Sequence, residues 1–309
     1  MKLLIVCSRN SGQIAPFILE QGEALERVGV KLEYFPIEGK GFWGYLKNRK
    51  LLLAKIKTFQ PNLIHAHYGL SGLLANTQRL VPVVTTYHGS DINNARIYPF
   101  SRLNMMLAAY NIFVSEKMTP QSPKGDLRKR EKYALIPCGI NTELFKPIEK
   151  VQAREALGLD IDKKLILFAG AFKTTVKNPD LAQASVALLP NVELLELNGY
   201  SREQVALLLN SVDVLLMTSF TEGSPQIIKE AIACNCPVVS VAVGDVLQVI
   251  DTIPGCFITS YEKNDIAQKL QQAISFGKLT EGRKRIFELG LDGETVARKI
   301  LTVYETVIS

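Results

Sequence analysis

"DVLLMTSFTEGSPQIIKEAIACNCPVVSVAV", residues 213–243, sets two apolar runs on either side of a helix-length amphipathic segment. Both runs, "DVLLMTS" and "PVVSVAV", are apolar almost throughout, so each reads as a strand buried on both faces. Strand, turn, helix and strand in that order make one unit of a parallel sheet, because parallel neighbours need a crossover. At the turn, Ser224 suits the helix N-cap and Pro225 the first helical position, where a missing N–H is no loss. The free N–H groups of a first helical turn carry partial positive charge and favour an anion. Gly223 lets a ligand come close to the backbone. Glu222 and Glu230 flank that anion position, and three readings are open: an acid/base pair, two ligand clamps, or a loop acid with a solvated helix residue. A diphosphate on the turn would bring a hydroxylated ring against each carboxylate, a good acceptor for sugar diols.

The same alternation runs outward to both ends of the chain. Strands are expected at "KLLIVCS", "KLEYFPI", "LIHAHY", "VVTTYHG", "NIFVSE" and "YALIPCG" in the first half. The second half repeats the pattern with "KLILFAG", "VELLELNG" and "GCFIT" beside the two strands above. Its helices are expected to start near Pro179, Ser201, Ser224 and Asn264. This predicts an α/β protein of two Rossmann-like, doubly wound parallel-sheet domains, with ligands at the carboxyl ends of the strands where the loops face a cleft. Pro147 interrupts the pattern, so the domains are expected at 1–147 and 148–291. A helical run over 292–309 is expected to close the chain across the domain junction.

Composition narrows the classes. The 309 residues are 47% hydrophobic and 21% charged, which is globular rather than disordered. No apolar run approaches the roughly 20 residues of a spanning helix, and "MKLLIVCSRN" reads as a first strand rather than a signal peptide. Cysteines 7, 138, 234, 236 and 256 lack paired or metal-knuckle spacing. They are expected to be reduced thiols, which points to a cytoplasmic protein. A formal charge of +6 suits an anionic partner. Nucleic acid is disfavoured, since no aromatic RNA-binding signature or zinc-finger spacing accompanies the charge.

"EGSPQIIKEAIACNCPVV" resembles the Glu–seven residues–Glu motif of the retaining GT-B glycosyltransferases (group 1 / family 4 type), a class including many bacterial polysaccharide and lipopolysaccharide sugar transferases. In order along the chain, "HAHYGLSG" (65–72), "HGSD" (88–91), "IPCGINTELFKP" (136–147), "KNPDLAQAS" (177–185) and "VGDV" (243–246) agree with it. The resemblance implies that Glu230 binds the ribose of a nucleotide sugar and Glu222 the hydroxyls of the transferred sugar. It implies that backbone amides around Gly223, Ser224 and Pro225 serve sugar and diphosphate, and that Lys177 neutralises the leaving diphosphate. It places His88 near the donor sugar, with Asp91 orienting its loop. Catalytic roles are thus expected for His88, Lys177 and Glu222.

Departures from the family pattern are visible too. Where the family carries an Arg after the glycine ending the preceding strand, Gly170 is followed by Ala171, and Lys173 is the substitute at hand. The paired glycines after the first strand are reduced to Gly12, and the second domain looks short. His65 and His67 are placed on opposite faces of their strand, in core or hinge roles, with His67 turned toward the cleft. "DID" at 160–162 matches a metal-binding Asp-x-Asp but follows a helix instead of ending a strand, so it reads as surface. No cofactor and no metal are expected; the donor is the nucleotide sugar, and retention is implied by the family resemblance alone, not by any residue.

The acceptor side is read from residues 39–57, which hold six basic residues and no acid. On one continuous helical wheel Phe42, Tyr45, Leu46, Leu53 and Ile56 share a face, with Trp43, Lys47, Lys50 and Leu51 opposite. Such a basic face with an exposed Trp could rest on an anionic bilayer at the inner membrane face and meet a glycan or lipid-linked acceptor. An ordinary packed helix with a solvated Lys face is the other reading. A second basic cluster, 122–132, is expected to form a mobile loop. Two further functions remain open: a GT-B-type nucleotide-sugar epimerase and a non-catalytic nucleotide-sugar-binding subunit.

Overall fold

The computed structural model describes residues 1–121 and 132–309. The basic cluster at 122–132, apart from Lys132, lies outside the described residues. Two compact units are present, residues 1–139 with 293–309, and residues 140–292.

In the first unit six strands pair in the order β2-β1-β3-β4-β5-β6, all parallel. They are β1 (Lys2–Ser8), β2 (Lys31–Ile37), β3 (Leu63–His67), β4 (Val83–Tyr87), β5 (Tyr110–Phe113) and β6 (Tyr133–Leu135). Alternate residues of β1 feed two cores: Leu3, Ile5 and Cys7 enter one, Leu4 and Val6 the other. That explains why the strand reads apolar without alternation. Each such Leu or Ile contributes roughly 1.5–3 kcal/mol of burial.

The second unit has five parallel strands in the order β11-β10-β9-β7-β8. These are β7 (Lys164–Phe168), β8 (Val192–Glu196), β9 (Val214–Met217), β10 (Val238–Val241) and β11 (Phe257–Thr259). Leu165 and Leu167 pack on one face, Ile166 and Phe168 on the other. The strands expected from sequence are all present, with their polar carboxyl ends released into loops.

The compact units break earlier than Pro147. Ile140 pairs with Asp292, and Ile140 and Phe145 are fully buried in the second unit's core, so residues 140–147 go with that unit. The helix Gly293–Ile308 buries Val296, Ala297, Ile300, Val303 and Tyr304 against the first unit's core, at the spacing of one helical face.

The basic stretch at 39–57 is not one helix. It forms Gly41–Leu46 and Arg49–Phe59, separated where the Asn48 amide donates to the carbonyls of Glu38, Gly44 and Tyr45. The second helix therefore starts a new phase and buries Leu52, Ile56 and Phe59, while the wheel had assigned Leu53 to the packed face. Trp43 and Leu51 stay 73% and 64% exposed. "DID" lies in the turn before β7 with all three residues exposed.

Candidate active site

At the carboxyl ends of β7, β9 and β10 three loops of the second unit meet. The first runs from Ala169 to Asn178 and carries Lys177, whose stem lies on Gly170: a Cβ there would stand 2.8 Å from Lys177 Cγ. Thr218 Oγ1 donates to the carbonyls of Lys177 and Asn178, at 3.0 and 2.9 Å, which ties this loop to the one after β9. Lys177 Nζ then donates to Glu222 Oε1 at 2.6 Å, with both side chains partly exposed. Two expected catalytic residues are thus in direct contact. Lys173, the substitute at hand for the missing Arg, is exposed on the same loop and makes no hydrogen bond or ion pair among the described residues.

The turn itself differs from the sequence expectation. The N-cap is Pro225 and the helix runs Gln226–Ala233, one residue later than expected. Ser224 does not cap; its hydroxyl donates to Asp245 Oδ2 at 2.6 Å. Pro225 has no N–H to offer, and the amides of Gly223 and Ser224 just before it have no partner among the described residues.

Glu230 is buried, at 2% exposure, and not a solvated helix residue. Its Oε1 accepts from Arg202 at 2.7 Å. Sequence reasoning missed Arg202. It opens the helix Arg202–Ser211, whose start is set by a capping box between Ser201 and Gln204, and its guanidinium stacks over Phe145 at 4.7 Å. The available signal was its place: the first helical residue after the glycine-ended run "VELLELNG", where a side chain reaches the carboxyl edge of the sheet.

In the first unit, β3 and the loop after β4 bring together the chain's three histidines. His65 and His67 stack with ring centroids 4.6 Å apart, on one face of β3, not on opposite faces. Residues two apart on a strand share a face, so the expectation of opposite faces was a miscount of the pleat. His65 Nδ1 meets Tyr304 Oη at 2.5 Å and Nε2 meets Thr86 Oγ1 at 2.7 Å. His67 Nδ1 meets His88 Nε2 at 3.0 Å, and His88 Nδ1 meets Cys138 Sγ at 3.6 Å. Both ring nitrogens of His88 are therefore engaged, the Cys138 contact being the weaker. Asp91 pins the loop: Oδ1 accepts from the N–H groups of His88 and Gly89, and Oδ2 from that of Gly69. Gly12, at φ +98°, lies in the loop after β1 with open space beside its Cα.

Burial holds His65 and His88 down to about 3, and His67 well below its ordinary value with help from His65 and His88. Burial pushes Asp91 up to about 6 against the backbone N–H groups that lower it. All three rings are neutral at neutral pH. An unfolded His takes up its proton below about 6.5, folded His65 and His88 only near 3, so stability falls with acidification at roughly 1.4 kcal/mol per pH unit for each of these rings. His67, held well below its ordinary value, acts in the same direction. Asp91 works in the opposite direction between about 6 and 4, gaining the proton sooner in the fold. The net expectation is a loss of roughly 4 kcal/mol at most from pH 7 to pH 5, checked by urea unfolding at the two pH values. An unchanged midpoint would contradict neutral, buried rings.

Among the described residues, no group of three or more His, Cys, Asp or Glu is placed to hold a metal, and all five cysteines are buried free thiols. No helix among them is long and apolar enough to cross a membrane.

Comparison with known proteins agrees with both halves of the chain. The family profile described as Glycosyltransferase Family 4 matches residues 4–144, and that of Glycosyl transferases group 1 matches residues 161–275. The D-inositol 3-phosphate glycosyltransferase of Mycobacterium sp. (strain KMS) is 24% identical over 271 residues, covering 73% of this chain and 62% of that protein. The chain thus spans less than two thirds of that relative's length. A putative teichuronic acid biosynthesis glycosyltransferase, TuaC, of Bacillus subtilis is 25% identical over 278 residues, with 78% and 69% covered. Among solved structures, Anabaena HepE in complex with UDP superposes with a TM-score of 0.75 at 15% identity, covering 99% of this chain and 100% of that one. The two parallel-sheet units are those of the GT-B fold.

Proposed function

Because the chain belongs to the family 4, group 1 glycosyltransferases, we propose that it moves a sugar from a nucleoside diphosphate sugar to an acceptor hydroxyl with retention at the anomeric carbon. The observation that carries this reading is the arrangement around the turn at 223–225. Two unpartnered N–H groups stand between two carboxylates, Glu222 and Glu230, each held by its own cation. The diphosphate takes the Gly223 and Ser224 amides. Glu230, oriented by Arg202, accepts from the ribose hydroxyls, and Glu222 from hydroxyls of the transferred sugar.

Chemistry follows from charge. As the bond from the anomeric carbon to the diphosphate oxygen breaks, its electron pair goes to that oxygen, and Lys177 meets the growing charge without a metal. The acceptor oxygen forms its bond on the same face and gives its proton to the departing phosphate. His88 is assigned to the donor sugar as a neutral hydrogen-bond donor, with Asp91 keeping its loop in place. Gly12 leaves room beside the first strand. Gly170 carries the Lys177 stem, and Lys173 remains a solvent-side cation that an anionic donor would draw in.

The acceptor is proposed to be a growing surface glycan or lipid-linked sugar, met at the inner face of the membrane. Support comes from exposed Trp43 and Leu51, on two successive helices, with the exposed cations Lys47, Arg49 and Lys50 between them in the chain, a composition suited to anionic lipid. The test is a panel of nucleoside diphosphate sugars scored for thermal stabilisation, slow hydrolysis and product identity. Stabilisation with hydrolysis or transfer is expected. Interconversion of the donor sugar would instead show an epimerase, and stabilisation without turnover a binding subunit.

A further inference from the structure

Lys229 has the least expected environment in the second unit: a lysine with 0% exposure, one residue before Glu230. Its Nζ donates to Ser224 Oγ at 2.5 Å and lies 3.3 Å from Asp245 Oδ2. The same Asp245 oxygen accepts the Ser224 proton at 2.6 Å, so helix, turn and the loop after β10 share one polar knot, buried at Lys229 and partly buried at Ser224 and Asp245. The two loops also meet backbone to backbone. Gly244 has φ +56°, and a Cβ there would stand 2.6 Å from the Gly223 carbonyl oxygen. Asp245 Oδ1 is buried with no partner among the described residues.

A buried ion pair is a poor way to gain stability, since apolar residues of the same volume would hold the helix as well or better. What it does well is fix one arrangement of polar groups. Having no exposed surface, Lys229 cannot touch a ligand. Ser224 uses its hydroxyl proton on Asp245 and accepts one from Lys229, so its side chain is committed to the knot while its backbone N–H has no partner among the described residues.

We propose that Lys229 is a positioning residue of the donor site. Through Ser224 and Asp245 it locks the turn at 223–225 so that the two free N–H groups converge on a diphosphate. This rests on the donor role proposed above and assigns a residue to it that neither carboxylate explains.

The test uses the full chain and a set of UDP, GDP, ADP and dTDP, carrying forward whichever binds tightest by calorimetry. Lys229→Met alone leaves the Asp245 carboxylate without its cation and is at risk of unfolding. The double variant Lys229→Met with Asp245→Leu replaces the pair by apolar volume, and Ser224→Ala removes only the bridging hydroxyl. With melting temperature held near that of the parent, the double variant is expected to bind the nucleoside diphosphate at least tenfold more weakly. Its KM for the donor should rise in proportion while kcat stays within threefold. Ser224→Ala should move the same way by a smaller factor. Parent-like affinity in both folded variants overturns the positioning role and leaves the proposed function standing. A parent protein that binds none of the four overturns both.

Discussion

Replacing Lys177 by Ala is expected to slow donor consumption by roughly 10²–10³-fold, the scale of losing one preorganised group aimed at developing charge. The side chain is placed for that task by its surroundings. Its stem rests on Gly170, where any Cβ would collide with it, and its ammonium is held by Glu222 at 2.6 Å. Its backbone is fixed as well, since Thr218 bonds its carbonyl. Folding depends on the side chain far less. The pair is 25% and 17% exposed, and a partly solvated ion pair is worth about 1 kcal/mol or less. The checking measurement is single-turnover donor cleavage beside a thermal melt. Turnover within threefold of the parent would remove Lys177 from leaving-group stabilisation. Lys177→Arg is expected to recover only part of the rate, because a planar fork on a different stem cannot reproduce a point charge over Gly170.

The parts of this fold that were legible in the sequence share one physical property: burial on both faces. Strands such as "KLILFAG" and "VVTTYHG" cannot alternate, so their apolar runs announce them and the turns that end them. The two glutamates were legible because a strand, a glycine turn and a helix bracket them. What escaped depended on contacts between distant segments. Arg202 lies 28 residues from Glu230 and nothing local marks it as that carboxylate's partner. Ser224 looked like an N-cap because Ser before Pro usually is one. A buried Lys five residues on and an Asp in another loop claim its hydroxyl instead. The break at Asn48 was hidden in the same way, since its amide is satisfied by three carbonyls that a helical wheel does not show. His65 and His67 were legible, and only the pleat was counted wrongly.

Glu230→Ala should weaken nucleoside diphosphate binding by roughly 10–100-fold, the range for losing hydrogen bonds to one charged acceptor. The difficulty is that Glu230 orders Arg202 and, in the function proposed above, also meets the ribose, so truncation removes both tasks. Arg202 can recover in part: its side chain is 25% exposed and keeps its place over the Phe145 ring. A double-mutant cycle with Arg202→Ala separates the tasks. If Glu230 served only to hold Arg202, each single variant would lose the same affinity and the double variant no more. With Glu230 on the ribose, Arg202→Ala should lose less, because the carboxylate remains and only its orientation relaxes. A 2′,3′-dideoxynucleoside diphosphate sharpens the distinction. The parent should bind it as weakly as Glu230→Ala binds the normal ligand, while the variant should hardly tell the two ligands apart. Equal discrimination by parent and variant would place the ribose elsewhere and leave Glu230 as a buried partner for Arg202.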